Sequence, residues 1–237
     1  MKTLSTTLLL SVFAANSFAQ PATKRMSLDM GEGCHISVKV PPKAEGGALR
    51  ADPEKNVRGR ASIGVTAPPR ATRVAYEDVF GMTLGCYDVT ENLTDGYPVR
   101  YDEVQRKWVK DMDRFLEKQV WKDELTKEDR RQYSAAVKFY GLSPLNAHGF
   151  AFTQDDMIGD ERGRRRHMRY CLFRAQKAVC GESTVALLSD IKRDRRNDLT
   201  QYALRILRSI EFVSDVGPAA RSLTEEELGG SINSCAR

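Results

Sequence analysis

The sequence predicts an α+β domain, an antiparallel β-sheet packed against helices with one hairpin stapled by a disulfide. Three observations carry this. The stretch CHISVKV, from Cys34 to Val40, alternates apolar and polar residues at the period of a half-buried strand. Two later stretches repeat apolar residues at three and four, as one face of a helix does. The run RRRHMRYCLFRAQKAVCGE, from Arg164 to Glu182, sets two cysteines at matching positions across a turn.

The chain opens with Lys2, an apolar run from Leu8 to Ala15, and the small residues Ser17 and Ala19, which predicts a signal peptide over 1–19. That run is short of the ~20 residues a membrane span needs. Lys2 is the only charged residue in the leader, so its removal lowers the formal charge from +5 to +4. With 37 basic and 32 acidic side chains interspersed, the field is weak, which argues against nucleic acid as partner. A periplasmic or secreted protein without a membrane span is expected.

Residues 20–33 are polar and read as a flexible lead-in. The strand from Cys34 ends at Pro41 and Pro42, and 43–60 reads as a charged, glycine-containing surface loop. A brief strand over 62–65 precedes a break at Pro68 and Pro69. Residues 74–80 and 82–89 read as a hairpin or two short strands carrying Cys86. After a turn-rich stretch, Val104, Trp108, Met112, Phe115 and Leu116 predict a helical stripe, with Arg106, Lys110, Asp113 and Lys118 outward. Residues 122–132 are charged, helical or looping, 147–153 read as a strand, and 154–163 form an acidic connection. Leu199, Tyr202, Ala203, Ile206 and Ile210 predict a second helix capped by Asn197 or Asp198, with Ile210 and Phe212 able to begin a short strand. A polar tail fills 214–237. No Pro/Gly/Ser linker divides 34–213, so a single domain is expected.

All five cysteines follow the leader, and in an oxidising compartment they read as bridges. The strand after Arg165 places Met168, Tyr170 and Leu172 on one face and His167, Arg169, Cys171 and Phe173 on the other. With the turn at Ala175 and Gln176, Phe173 opposes Ala178, Leu172 opposes Val179 and Cys171 opposes Cys180. Opposed residues have Cβ atoms ~4.5–5.5 Å apart, close to bridge geometry. A Cys171 to Cys180 bridge is therefore predicted, with long-range partners as the alternative. Cys34 with Cys86 is the second expected pair, leaving Cys235.

A Cys/His nucleophile is disfavoured: His167 lies four strand residues, ~13 Å, from Cys171. Ser183 lacks a nucleophile-elbow context. No zinc spacing occurs, and Asp155, Asp156, Asp160 and Glu161 lack calcium-loop spacing, so neither metal nor cofactor is expected. Arg164, Arg165, Arg166, Arg169, Arg193 and Arg196, with that acidic loop, are the candidate protein-binding residues, because the guanidinium fork clamps carboxylates. A solvated, salt-bridged face is the plain alternative.

The segments SPLNAHGFAFTQDD, RRRHMRYCLF, KAVCGESTVALL and LTQYALRILRSIEFV, with CHISVKVPP as opening strand, resemble part of the Mog1/PsbP-like α/β/α sandwich over 34–42 and 143–213. In size, leader and disulfide use the chain is similar to periplasmic immunity proteins that neutralise toxins of type VI secretion. The resemblance implies a protein partner, a toxin or effector, and steric inhibition. Two rival readings remain. A hydrolase would set His148 or His167 in a pocket against a carboxylate or Ser183. An envelope or small-molecule module would line an apolar cleft with Phe150, Phe152 and Tyr170.

Overall fold

The computed structural model describes residues 22–213 apart from 32, 67–78, 90–91 and 120. The expected leader and tail, Cys235, and the break at Pro68 and Pro69 lie outside the described residues.

Residues expected to be a flexible lead-in instead form β1 (Lys24–Asp29), which pairs antiparallel with β2 (His35–Val40). The inward alternation of Met26, Leu28 and Met30 drives this, with Leu28 and Met30 fully buried. In β2, Ile36, Val38 and Val40 are buried as the alternation requires. The stretch 43–60 also departs from a plain loop. It holds β3 (Glu45–Leu49) and a 3-10 turn, Pro53–Lys55, capped by Asp52. Every residue of β3 is exposed, so its sequence carries no burial pattern to read. There follow β4 (Arg60–Thr66) and β5 (Val79–Asp88); β5 runs unbroken through 80–82, where a hairpin turn or a break between two short strands was expected, and the expected strand residues 74–78 lie outside the described residues.

The helix expected around Trp108 is replaced by a hairpin, β6 (Val99–Asp102) with β7 (Lys107–Lys110), and then by the short α1 (Met112–Glu117). Arg106 takes a left-handed φ of 51° in the connecting turn, where Val104 is 93% exposed. Asp111 then starts α1 by accepting a hydrogen bond from Arg114 N at 3.1 Å. Next come α2 (Lys127–Ala136), opened by a reciprocal capping box of Thr126 and Asp129, and β8 (Val137–Leu142).

The strands β9 (His148–Asp155), β10 (Arg165–Arg174) and β11 (Lys177–Leu187) follow. All three expected pairings hold: Phe173 with Ala178, Leu172 with Val179, and Cys171 with Cys180. Both expected disulfides form, Cys171 to Cys180 with Cα atoms 4.0 Å apart and Cys34 to Cys86 at 5.8 Å. The chain closes with α3 (Leu188–Arg193), α4 (Thr200–Arg208) and β12 (Glu211–Phe212), which pairs with β2. Asp198, one of the two expected caps, accepts from Thr200 N at 3.0 Å.

Seven strands make one antiparallel sheet in the order β3-β4-β5-β11-β10-β9-β8. Its two meanders are joined by β5 against β11. One face packs on the β1-β2-β12 sheet and α4, burying Ile36, Val38, Met82, Tyr170, Leu172, Leu204 and Leu207. The other is covered over its β8-β9-β10 half by the β6-β7 hairpin and α1, around Phe150, Phe152, Phe173 and Leu116. The result is a mixed α+β fold, a large antiparallel sheet packed against a few helices and stapled by two disulfides.

Candidate functional site

The candidate arginines separate into a structural member and a surface group. Arg166 points into the protein with Met168, Tyr170 and Leu172, and its side chain is only 10% exposed. It donates to both oxygens of Asp155, at 2.6 and 2.7 Å, and to Asp198 Oδ2 at 2.6 Å. The Asp155 carboxylate holds the guanidinium pKa above its ordinary value. Arg166 and Asp155 therefore tie β9 and β10 to the start of α4. Alternation predicts this: a residue two before Met168 shares its inward face.

All the remaining candidates except Arg169 gather at one end of the large sheet. The β9–β10 connection and α3 meet there, with Leu188 N donating to Arg164 O at 2.9 Å and Lys192 Nζ 3.9 Å from Glu161. Arg164 folds back on its own loop and donates from Nε and Nη2 to Gly159 O at 3.1 and 3.0 Å. Asp156 accepts from Arg165 N at 2.9 Å, and Asp160 from Arg162 N at 3.2 Å. Arg193 lies 3.9 Å from Asp190, and Arg196 is clamped by Asp194. Arg169 sits further along β10, paired with Glu182 at 3.4 Å. These bonds use the acidic side chains as internal braces. The tip of the braced loop is Ile158, 82% exposed. Its signal in the sequence is that Met157 and Ile158 are an apolar pair inside an otherwise acidic run.

The face of β4, β5 and β11 that α1 leaves uncovered forms a second surface, carrying exposed Arg60, Ser62, Thr83, Glu182 and Thr184. At its inner edge lies a groove of about 630 Å³ lined by Arg58, Arg60, Gly85, Tyr87, Tyr97 and Glu182, among others. The groove opens where two strands part. The β5–β11 pairing stops at Gly85 with Cys180, and side chains take over the bridging. Tyr170 OH donates to Thr83 O at 2.7 Å, Thr83 Oγ1 to Glu182 O at 3.1 Å, and Ser183 Oγ to Gly81 O at 2.5 Å. Gly181 permits the crossing, since a side chain there would collide with the Thr83 carbonyl and crowd the Tyr170 ring.

The groups named for a hydrolase lie in separate contacts, with His167 the one beside a carboxylate. His148 Nδ1 accepts from Trp108 Nε1 at 3.2 Å and its ring stacks on Phe173. His167 Nε2 lies 3.4 Å from Asp156 and its Nδ1 3.5 Å from the Thr184 hydroxyl, while Ser183 is buried and committed to Gly81. Phe150, Phe152 and Tyr170 are buried core residues. Among the described residues no three His, Cys, Asp or Glu side chains gather as a metal site, and no helix is long and apolar enough to cross a membrane. The chain matches no protein-family model and no curated protein.

Proposed function

We propose that this chain is a periplasmic protein-binding inhibitor that holds its partner through the 156–164 loop and the arginines beside it. The observation that carries the reading is Ile158, 82% exposed at the tip of a loop braced from within by Arg164, Asp156 and Asp160. A lone exposed isoleucine is ordinary. One held on a braced loop, with Arg164 bonded to the neighbouring Gly159 carbonyl, has the features of an interface anchor, because little conformational freedom is lost on docking and arginine suits the rim.

The mechanism is steric: the loop enters a partner's cleft and the neighbouring face of the sheet blocks access to it. The leader expected at 1–19 and the two disulfides support an oxidising compartment. A secreted toxin, of the kind type VI systems deliver to a neighbour's periplasm, is the partner class this reading favours. Kinship with Mog1/PsbP-like sandwiches belongs to the same proposal, supported by a sheet with layers on both faces.

A photo-crosslinking amino acid at position 158, with Gln201 on α4 as the control position, tests the proposal in periplasmic extract. One protein crosslinked at 158 and not at 201 supports it. Equal labelling at both positions, or no adduct at either, refutes it.

A further inference from the structure

Three of the five large apolar side chains exposed among the described residues, Val89, Val104 and Leu145, lie at one end of the large sheet on three different connections. We propose that this end is a membrane-surface site, which docks on an anionic phospholipid leaflet by inserting those side chains at the headgroup boundary. It stands independently of the protein-binding reading.

Specific contacts bring the three connections together. Val89 N donates to Gln176 O at 3.0 Å, which sets it against the β10–β11 turn. Tyr101 and Trp108 are cross-strand partners in the β6–β7 hairpin, and the Trp108 bond to His148 sets the hairpin turn beside the 143–147 connection. A depression of about 510 Å³ between them is lined by Arg106, Lys107, Trp108, Ser143 and His148, among others. Asp102 Oδ1 accepts from Gln105 N at 2.9 Å, so the turn is held and presents Val104 outward at 93% exposure. Leu145, on the neighbouring connection, is 82% exposed.

The distribution and the charge select a lipid surface. Apolar residues exposed singly are ordinary. Three carried on separate turns at one end offer points of insertion, where a protein interface would need a continuous, well-packed core. Arg106 and Lys107 are exposed, and no ion pair or hydrogen bond engages either side chain among the described residues. Of the acids nearby, Lys177 holds Asp88 at 2.8 Å and Gln105 N holds Asp102, which leaves Glu103 against the two cations. Cations beside an apolar tip gain attraction from anionic headgroups. Tyr101 and Trp108, half-buried one rung behind Lys107, put amphipathic rings ~3.3 Å further back, within the headgroup layer that favours them. β9 runs eight residues, ~25 Å, from His148 at this end to Asp155 at the other. A chain docked this way holds Ile158 away from the leaflet.

The test is co-sedimentation of the chain, purified after export and so without its expected leader, with vesicles of phosphatidylethanolamine and phosphatidylglycerol. Phosphatidylcholine vesicles are the comparison and should bind about tenfold more weakly. Val104→Asp with Leu145→Asp should lower partitioning at least tenfold, and Arg106→Gln with Lys107→Gln about tenfold on the anionic vesicles alone. Leu49→Asp, an exposed apolar site on β3, should change nothing. A photo-crosslinking amino acid at position 104 in the exporting cell should give phospholipid adducts. Failure of the wild type to sediment with the anionic vesicles, undiminished binding of either double variant, an equal loss in Leu49→Asp, or a protein adduct at 104 would each overturn the proposal.

Discussion

Arg166 and Asp198 meet through a 2.6 Å hydrogen bond that joins the inner face of the large sheet to the turn opening α4. Because Asp155 holds the same guanidinium, removing it strands two carboxylates. Arg166→Ala should cost about 3 kcal/mol, the lower end for breaking a buried pair, since both acids keep some water contact. Arg165→Ala and Arg193→Ala should stay within about 0.5 kcal/mol. Urea denaturation of the three variants checks the contrast.

The two disulfides close loops of very different length, with sequence separations of 9 and 52. The chain-entropy relation gives about 2.6 kcal/mol for Cys171 to Cys180 and about 4 kcal/mol for Cys34 to Cys86. Replacing each pair by alanine should therefore lower stability more for the Cys34 pair, as calorimetry or urea titration would read. Equal losses would show that strand pairing already restrains the unfolded chain.

Burial raises the Tyr170 pKa far above the ordinary value of 10.0. A folded-state pKa above the unfolded one means that the folded protein binds more protons at alkaline pH. The stability this contributes is complete below about pH 10 and declines as pH rises beyond it. Tyr170→Phe should cost about 1 kcal/mol near neutrality, the bond to Thr83 O, and should flatten the alkaline decline. Unfolding curves at neutral and alkaline pH, with and without the hydroxyl, give both quantities.

The Thr126 hydroxyl, and then its backbone N–H, hold the Asp129 carboxyl below its ordinary pKa by donating to Oδ2 at 2.6 and 2.9 Å. Here the folded pKa is depressed, so the capping contribution is present above the unfolded value and is lost as pH falls through the folded one. Carbon-detected NMR should find Asp129 titrating below a model aspartate. Thr126→Ala should return it toward the ordinary value and fray the first turn of α2.

Where period and turn position act together, the sequence is readable: 166–180 yielded strand faces, register and a disulfide because one shift would invert every side chain. Residues 104–118 misled because periodicity reports which residues share a core and is blind to the path between them. Trp108 on β7 and Leu116 on α1 reach the same cluster, and the cues to the break were Arg106 in the turn and Asp111 as a cap. β3 was illegible because none of its side chains is buried. Arg166 is legible as inward-facing from its alternation with Met168, although surface arginines flank it in sequence. The groove walls come from separate parts of the chain, Arg58 and Tyr87 beside Tyr97, and only the folded sheet brings them together.

The central claim is that Ile158 anchors a protein partner while contributing nothing to folding. Calorimetric titration of the purified partner into wild type and Ile158→Asp tests it most directly. An interface anchor predicts a loss of about 2 kcal/mol or more in binding, roughly 30-fold in Kd, with a melting temperature unchanged. Equal Kd values for the two proteins would contradict it.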